Sequence, residues 1–168
     1  FLGTTTSLND GTWQFDTNGA NLADGSYAVI LTDTDLAGNI TSETSPLHLT
    51  IDTKVPETPK ITGVQVDTGR NASDAVTKTR SVVLDGKAEP YSTVRIYLEG
   101  EAETLGSTTT DRNGLWHFSY TQADVPVNLA DDTYVFRAIA LDQVDNQSKP
   151  SVDFVLVVDN APPPTPVI

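Results

Sequence analysis

The sequence predicts an all-β protein made of tandem antiparallel β-sandwiches. Three observations carry this prediction. Apolar and polar residues alternate in short runs, Gly, Asp, Asn and Pro fill the gaps between the runs, and one set of motifs occurs twice along the chain. Alternation with period two indicates half-buried strands, and turn-forming residues at short, regular intervals are typical of sandwiches and barrels.

Two segments of the chain match at a separation of 107 residues. The matching residues are Leu22–Asp24 and Leu129–Asp131, Tyr27 and Tyr134, Asp35 and Asp142, Asn39 and Asn146, and Ile51-Asp52 and Val158-Asp159. Trp13 and Trp116 match at a separation of 103, because the second copy carries additional residues between its Trp and its Leu-Ala-Asp. A unit of about 100 residues is too long for a solenoid repeat and has the size of a whole domain.

The repeat predicts a division of the chain into three parts. Residues 1–55 are the C-terminal half of one repeat, residues 56–160 are a complete repeat, and residues 161–168 are a linker with the start of the next repeat. We expect the chain to have been cut from a longer string of such repeats.

The complete repeat contains about seven predicted strands. They are expected near Ile61–Val66, Val82–Lys87, Val94–Glu99, Leu105–Thr110, Leu115–Tyr120, Tyr134–Ile139 and Val152–Val158. Seven strands in about 100 residues are typical of an immunoglobulin-like sandwich. Tyr27 and Tyr134 follow an Asn-Leu-Ala-Asp turn at the start of the sixth strand, where such sandwiches have a tyrosine corner; an ordinary core tyrosine is the alternative.

The net charge excludes several classes of partner. Lys and Arg total 10 against 23 for Asp and Glu, a net charge of −13. Nucleic acid and anionic membranes would repel such a chain, so we expect no nucleic-acid partner. No apolar run reaches the roughly 18 residues of a membrane span, so we expect no membrane insertion. An excess of carboxylates suits a protein that binds divalent cations or must stay soluble.

Prolines follow an aspartate in both linkers, Asp52–Pro59 and Asp159–Pro166. Proline favours the extended polyproline II conformation, so these linkers are expected to be short and semi-rigid. Neighbouring repeats of the same chain are therefore its first expected partners.

Carboxylates and amides are expected to converge at the end of the sandwich where the linker enters. The loops between strands B–C, D–E and F–G, residues 88–91, 111–114 and 142–146, lie at that end in an immunoglobulin-like topology. Crowded carboxylates raise one another's pKa, and a calcium ion relieves this because it accepts six to eight oxygen ligands. The candidate ligands are Asp52, Glu89, Asp111, Asp142, Asp145 and Asn146.

The half repeat has an equivalent cluster of carboxylates and amides. Its members are Asn9, Asp10, Asp33, Asp35 and Asn39. Asp159, at the end of the complete repeat, is the candidate linker ligand for the joint that follows it. Asp and Asn are also common turn residues for reasons unrelated to metal, so a plain turn is the alternative for each residue. The recurrence of Asp35 and Asn39 as Asp142 and Asn146 favours Ca2+ for the cluster as a whole.

Four motifs resemble the bacterial Ig-like repeats of giant type I-secreted adhesins. They are Asp10–Trp13, Leu22–Tyr27, Thr34–Asn39 and Ile51–Pro56. The resemblance covers the whole chain and implies a secreted or cell-surface rod of tandem domains with calcium near the joints. It implies that the full-length protein binds a host-cell surface, through glycans. By the motif match, the F–G loop aspartate is Asp35 or Asp142, and the linker aspartate is Asp52 or Asp159.

The sequence does not favour an enzyme. His48 and His117 lie at outward strand positions in different repeats, and the chain has no cysteine. A carbohydrate-binding module, which would expose coplanar aromatic rings, is the alternative function. Tyr91 and Tyr97 are its plausible exposed pair, because the other large aromatic residues considered fall on inward positions: Trp13, Trp116, Phe118, Phe136 and Phe154.

Overall fold

The computed structural model describes residues 1–17, 19, 21–43, 45–122, 125–126 and 128–167, with only the backbone described for residues 121–122 and 125–126. The chain divides into two compact units, Phe1–Lys54 and Val55–Ile168. The described residues form strands and turns with no helix, which confirms the all-β prediction. Within this described part, therefore, no helix is of a length and apolarity to span a bilayer.

The first unit contains two short antiparallel pairs of strands. β1 (Gly25–Val29) pairs with β4 (Leu47–Ile51), and β2 (Thr32–Thr34) pairs with β3 (Ile40–Ser42). None of the described residues of this unit is buried, and Trp13 is 50% exposed. The inward position predicted for Trp13 is therefore wrong, because Trp13 lies outside the strands and the described residues of this unit form no buried core around it.

The second unit contains two sheets and a small hairpin. Its strands are β5 (Lys60–Val64), β6 (Val76–Thr77), β7 (Val83–Lys87), β8 (Thr93–Leu98), β9 (Gly106–Thr109), β10 (Leu115–Ser119), β11 (Thr121–Gln122), β12 (Val125–Pro126), β13 (Asp132–Leu141) and β14 (Phe154–Val158). One sheet has the order β10-β7-β5, and the other has the order β6-β14-β13-β8-β9. β11 and β12 form the hairpin.

The core of the second unit lies between these two sheets. Trp116 and Phe118 enter it from β10, and Ile96, Phe136 and Leu156 enter it from the five-stranded sheet. Alternate residues on these strands face solvent, as the period-two pattern predicts. The inward positions predicted for Trp116, Phe118 and Phe136 are confirmed. Phe154 on β14, which was also predicted to face inward, is half-buried and packs against the same core.

The tyrosine corner predicted for both repeats is confirmed. The Tyr27 hydroxyl donates a hydrogen bond to the backbone oxygen of Ala23 at 2.7 Å. The Tyr134 hydroxyl donates to the backbone oxygen of Ala130 at 3.1 Å. Each bond spans four residues and fixes the turn before the strand, so the repeated motif has the same local structure in the two units.

β5 corresponds to the first predicted strand of the complete repeat, Ile61–Val66, and β6 is a further strand that the sequence did not predict. β5 pairs antiparallel with β7, with an irregularity in the register between Ile61 and Gly63. After a loop, β6 pairs in parallel with β14. The chain thus adds a strand to each sheet, which is why the two sheets contain eight strands where the sequence predicts about seven.

Gly86 on β7 lies directly opposite Trp116 on β10. A Cβ atom at Gly86 would lie 2.1 Å from the Trp116 ring and 2.4 Å from the backbone oxygen of Lys60. No rotation of a flexible side chain relieves either contact, because the ring is 1% exposed and the oxygen belongs to the backbone. Glycine is therefore required here to admit the tryptophan.

We expect Gly86→Ala to destabilise the second unit by about 1–3 kcal/mol, the range for an overpacked core. Urea denaturation followed by tryptophan fluorescence measures the change. Gly63→Ala on β5 is the matched control, because no atom lies within 4 Å of its added Cβ. Equal losses of stability in the two variants would contradict the packing explanation.

Candidate metal centre

Three loops meet at one end of the second unit. The Ala88 N–H donates to the Gly114 oxygen at 2.9 Å, and the Thr110 hydroxyl donates to the Glu89 oxygen at 2.7 Å. These bonds join loop 88–91 to loop 111–114. The register between β13 and β8 ends at Leu141 and Thr93, so loop 142–146 follows at the same end. The sequence-predicted placement of the three loops is observed.

The chain enters the second unit at this same end. Lys60, the first residue of β5, pairs with Lys87, the residue before loop 88–91. Pro56 and Pro59 are both buried within the unit. The last part of the linker is therefore packed against the domain that it leads into, which limits its freedom to bend.

The loop beginning at Asp142 has a defined hairpin geometry. The Asp142 N–H donates to the Asn146 oxygen at 3.2 Å, and the Asp145 N–H donates to the Asp142 oxygen at 3.3 Å. The fourth residue, Asp145, has a positive φ of 65°. This arrangement is a type I turn followed by a left-handed residue, a common three-residue hairpin connection.

The same backbone bonds form the loops that begin at Leu8, Asp35 and Asp111. Their fourth residues are Gly11, Gly38 and Gly114, with φ of 82°, 84° and 74°. Glycine adopts this conformation without strain, whereas a residue with a Cβ is disfavoured there. Asp145 therefore occupies a position at which the three equivalent loops have glycine.

The first carboxylate of three of these loops accepts hydrogen bonds from its own loop. Asp142 Oδ1 accepts the N–H groups of Val144 and Asn146, each at 2.9 Å, and Oδ2 accepts the Asn146 side-chain amide at 2.8 Å. Asp35 and Asp111 accept equivalent bonds. The recurring Asp-Asn pattern thus has a role in turn formation, the alternative that the sequence left open.

These hydrogen bonds stabilise the ionised carboxylates. The side-chain amide of Asn39 lowers the pKa of Asp35, and the backbone N–H of Leu115 lowers the pKa of Asp111. Burial acts to raise the pKa of Asp142, but the amide of Asn146 and the loop N–H groups outweigh it, so that pKa is also lowered. All three groups carry a negative charge at neutral pH.

The other predicted ligands lie in separate places. Asp10, in the first unit, accepts the Thr12 N–H at 3.0 Å and the Thr12 hydroxyl at 2.7 Å. Asp33 is exposed on β2. Asp52 and Asp159 each accept the N–H two residues later at 3.0 Å, as in a tight turn. Among the described residues, the side chains of Glu89, Asp145 and Asn9 have no hydrogen bond or ion pair.

The donor atoms suit calcium in kind, since carboxylate and amide oxygens are its usual ligands. Yet in the part of the chain that the structure describes, no three His, Cys, Asp or Glu residues come close enough to hold a metal ion. Asp142 also has three of about four lone-pair positions filled by its own loop. The three loops are thus brought to one end, but their carboxylates do not form a complete ligand set within either unit.

The bacterial Ig-like domain family matches residues 2–53 and again residues 55–160. The chain belongs to this family. The match covers nearly the whole sequence in two successive copies, so the repeats of this chain are bacterial Ig-like domains. No curated protein matches the chain.

Solved structures of similar fold include three adhesion-related proteins. A tetra-tandem repeat from the extending region of a large adhesion protein is 20% identical, with 94% of this chain and 38% of that one covered and a TM-score of 0.44. The BSP domain of a biofilm-associated protein is 16% identical, with 84% and 20% covered and a TM-score of 0.44. A Ca2+-stabilised adhesin with which an Antarctic bacterium binds ice is 24% identical, with 80% and 32% covered and a TM-score of 0.37. The present chain thus spans less than half the length of each.

We expect Asp145→Gly to stabilise the second unit by about 0.5–1 kcal/mol, because the left-handed strain it removes exceeds the backbone entropy that glycine adds to the unfolded chain. Urea denaturation in chelator measures the change. Asp145→Asn is the matched control, since it removes the charge and keeps the strain. An equal gain in both variants would assign the effect to charge and contradict the conformational explanation.

Acid is expected to destabilise the fold through the lowered pKa values of Asp35, Asp111 and Asp142. A carboxyl with a lowered folded-state pKa contributes stability above its unfolded value, here 3.8, and loses it as the pH falls through the folded value. Denaturation midpoints should therefore hold steady above about pH 5 and decline below pH 4. The decline should be shallower in Asp142→Asn; an identical pH profile would rule out this contribution of Asp142.

Proposed function

We propose that the chain is a non-enzymatic spacer segment of a large bacterial surface or secreted adhesin, in which Ca2+ stiffens the joints between Ig-like repeats. The observation that carries the proposal is that three acidic loops and the incoming linker occupy one end of the second unit. The proposed division is the C-terminal half of one repeat over 1–55, a complete repeat over 56–160, and a linker with the start of the next repeat over 161–168. We further propose that the parent protein is a giant non-fimbrial adhesin, which the four sequence motifs resemble.

The proposed ligands combine groups from the linker and from the loops. Glu89, Asp111 and Asp142, with Asp145 and Asn146, are the loop groups, and Asp52 is the linker group. Asp10, Asp33, Asp35 and Asn39 are the equivalent residues of the half repeat, and Asp159 is the linker group for the next joint. When bound, calcium would supply positive charge to an end of the domain that holds several carboxylates.

The ionisation of Asp111 and Asp142 is compatible with such a role. Both carboxyl groups have lowered pKa values and are deprotonated at neutral pH, as a calcium ligand must be. The turn hydrogen bonds fix each carboxylate relative to its loop. Binding would require the cation to use the remaining lone pairs or to displace a loop N–H.

The expected partners are the neighbouring repeats and, for the full-length protein, a host-cell surface recognised through glycans. The membership of the bacterial Ig-like family supports a surface or extracellular location. The net charge of −13 supports the expectation that nucleic acid is not a partner.

Calcium removal should lower the thermal stability of the chain. A ligand that binds only the folded state stabilises it by about 2.7 kcal/mol at 100 times its dissociation constant. Melting is followed by tryptophan fluorescence in EDTA and in about 10 mM CaCl2, which is about 100 times a dissociation constant of about 0.1 mM, the tighter end of the range for extracellular calcium sites. MgCl2 at equal ionic strength is the control. The maximum dimension from small-angle scattering reports whether the ion also stiffens the joint.

Two variants separate a joint site from a general effect of charge. Asp52→Ala should remove most of the calcium-induced rise in melting temperature. Glu101→Ala, in the β8–β9 loop at the far end of the second unit, should keep it. Identical melting curves in EDTA and calcium would refute the calcium proposal, and an equal loss in the two variants would refute the assignment to the joint.

Carbohydrate binding is the second proposed function, and the exposure of Tyr91 favours it. This side chain is 62% exposed and its backbone has a φ of 61°, an unusual conformation for an aromatic residue. Tyr97 is half-buried on β8. If this function is correct, Tyr91→Ala should abolish binding to a glycan array while Tyr91→Trp retains it. Unchanged array binding in Tyr91→Ala, or no binding by the parent chain, would leave the spacer function alone.

A further inference from the structure

The second strand of the complete repeat, β6, and its last strand, β14, lie side by side and run in the same direction. β6 pairs in parallel with β14, with Val76 opposite Val157 and Thr77 opposite Val158. We call β6 and β14 the terminal-strand pair. The chain reaches β6 at the start of that strand and leaves β14 at its end, so it enters and leaves the pair at opposite ends.

This arrangement determines how a pulling force acts on the pair. Tension on the two ends of the repeat pulls β6 and β14 along their own axes in opposite directions. The hydrogen bonds between parallel strands lie across the strands, so such a force loads them together. In an antiparallel hairpin pulled at its open end, the bonds would instead break one after another.

Besides the ladder pairing of β6 with β14, three hydrogen bonds join the two segments. The Val157 N–H donates to the Ala75 oxygen and the Asp159 N–H donates to the Thr77 oxygen, each at 2.9 Å. The Asn160 side-chain amide donates to the Lys78 oxygen at 3.1 Å. The bonds thus continue past the end of β14 into the linker.

Thr77 holds β6 to its surroundings on the side away from solvent. Its side chain is buried, with 2% of the residue exposed. Its hydroxyl donates to the Val66 oxygen at 3.2 Å and accepts the N–H groups of Thr68 and Thr79 at 3.2 and 3.1 Å. Val158, opposite it, is 1% exposed. Water therefore has little access to the Thr77–Val158 pair at the centre of the element.

We propose that the terminal-strand pair is the force-bearing element of the complete repeat. β5 attaches the same N-terminal segment to β7, so tension loads β5 first and passes to β6 when β5 is released. The inference deepens the proposed spacer function, in which a surface rod carries tension. It rests on backbone topology within one unit, and it needs neither calcium nor a receptor.

Single-molecule pulling in EDTA tests the proposal on the whole chain. The sequence has no cysteine, so introduced cysteines give unique attachment points. Glu57→Cys with Ala161→Cys pulls the terminal-strand pair in shear. Asp132→Cys with Ala161→Cys peels β14 from β13, because Asp132 is opposite Val158 at the end of that antiparallel pair. We expect a clearly higher unfolding force in the first geometry, and equal forces would overturn the proposal.

A pair of proline variants locates the resistance. Val157→Pro removes the N–H that donates to Ala75, and at constant force in the shear geometry we expect its lifetime to fall about fivefold, the effect of one hydrogen bond. Val155→Pro is the matched control. Its N–H points to the same edge of β14 but lies beyond the two residues of β6. Equal shortening in both variants would overturn the proposal.

Circular dichroism would show whether Val157→Pro folds. If it does not, the comparison of the two pulling geometries still tests whether the terminal-strand pair bears the force. Because the experiment contains EDTA, a failure of the calcium proposal leaves its result unchanged. Conversely, equal forces in shear and peel would refute the force-bearing element while leaving the effect of calcium on melting intact.

Discussion

The contact between Trp116 and Gly86 determines how the core of the complete repeat packs. The indole ring lies over a glycine on the neighbouring strand, close to the backbone of a third strand at Lys60. All three strands of the smaller sheet therefore meet at this ring. From the other sheet, Ile96, Phe136 and Leu156 complete the core around it. The acidic loops lie where these strands end, so their positions depend on this packing.

The indole nitrogen shows that Trp116 is held in the core by its shape and apolar contacts rather than by a hydrogen bond. Trp116 Nε1 is buried and has no hydrogen-bond partner among the described residues. A buried N–H without a partner costs about 1–3 kcal/mol, so the apolar contacts of the ring outweigh that loss. In the first unit Trp13 occupies the matching sequence position but is half exposed, since the described residues of that unit include no counterpart of Gly86 and its strand. The motif alone does not bury the residue.

The fold followed from the sequence wherever one physical signal dominated. Period-two alternation located β7, β8, β10, β13 and β14, and the recurrence of Tyr27 as Tyr134 correctly predicted two tyrosine corners. β6 was not predictable in this way, because it is only two residues long. The three loops were correctly placed at one end. Their hydrogen bonds were not foreseen, since Asp and Asn give the same sequence pattern whether they bind a cation or cap a turn.

The four equivalent hairpin loops have the same backbone structure but differ in charge. Their backbone bonds are the same whether the left-handed position holds glycine or Asp145. A single substitution at that position changes the number of carboxylates at a domain end by one and leaves the loop in place. Successive repeats built on this template can therefore differ in the number of carboxylates at their ends while sharing the same loop structure.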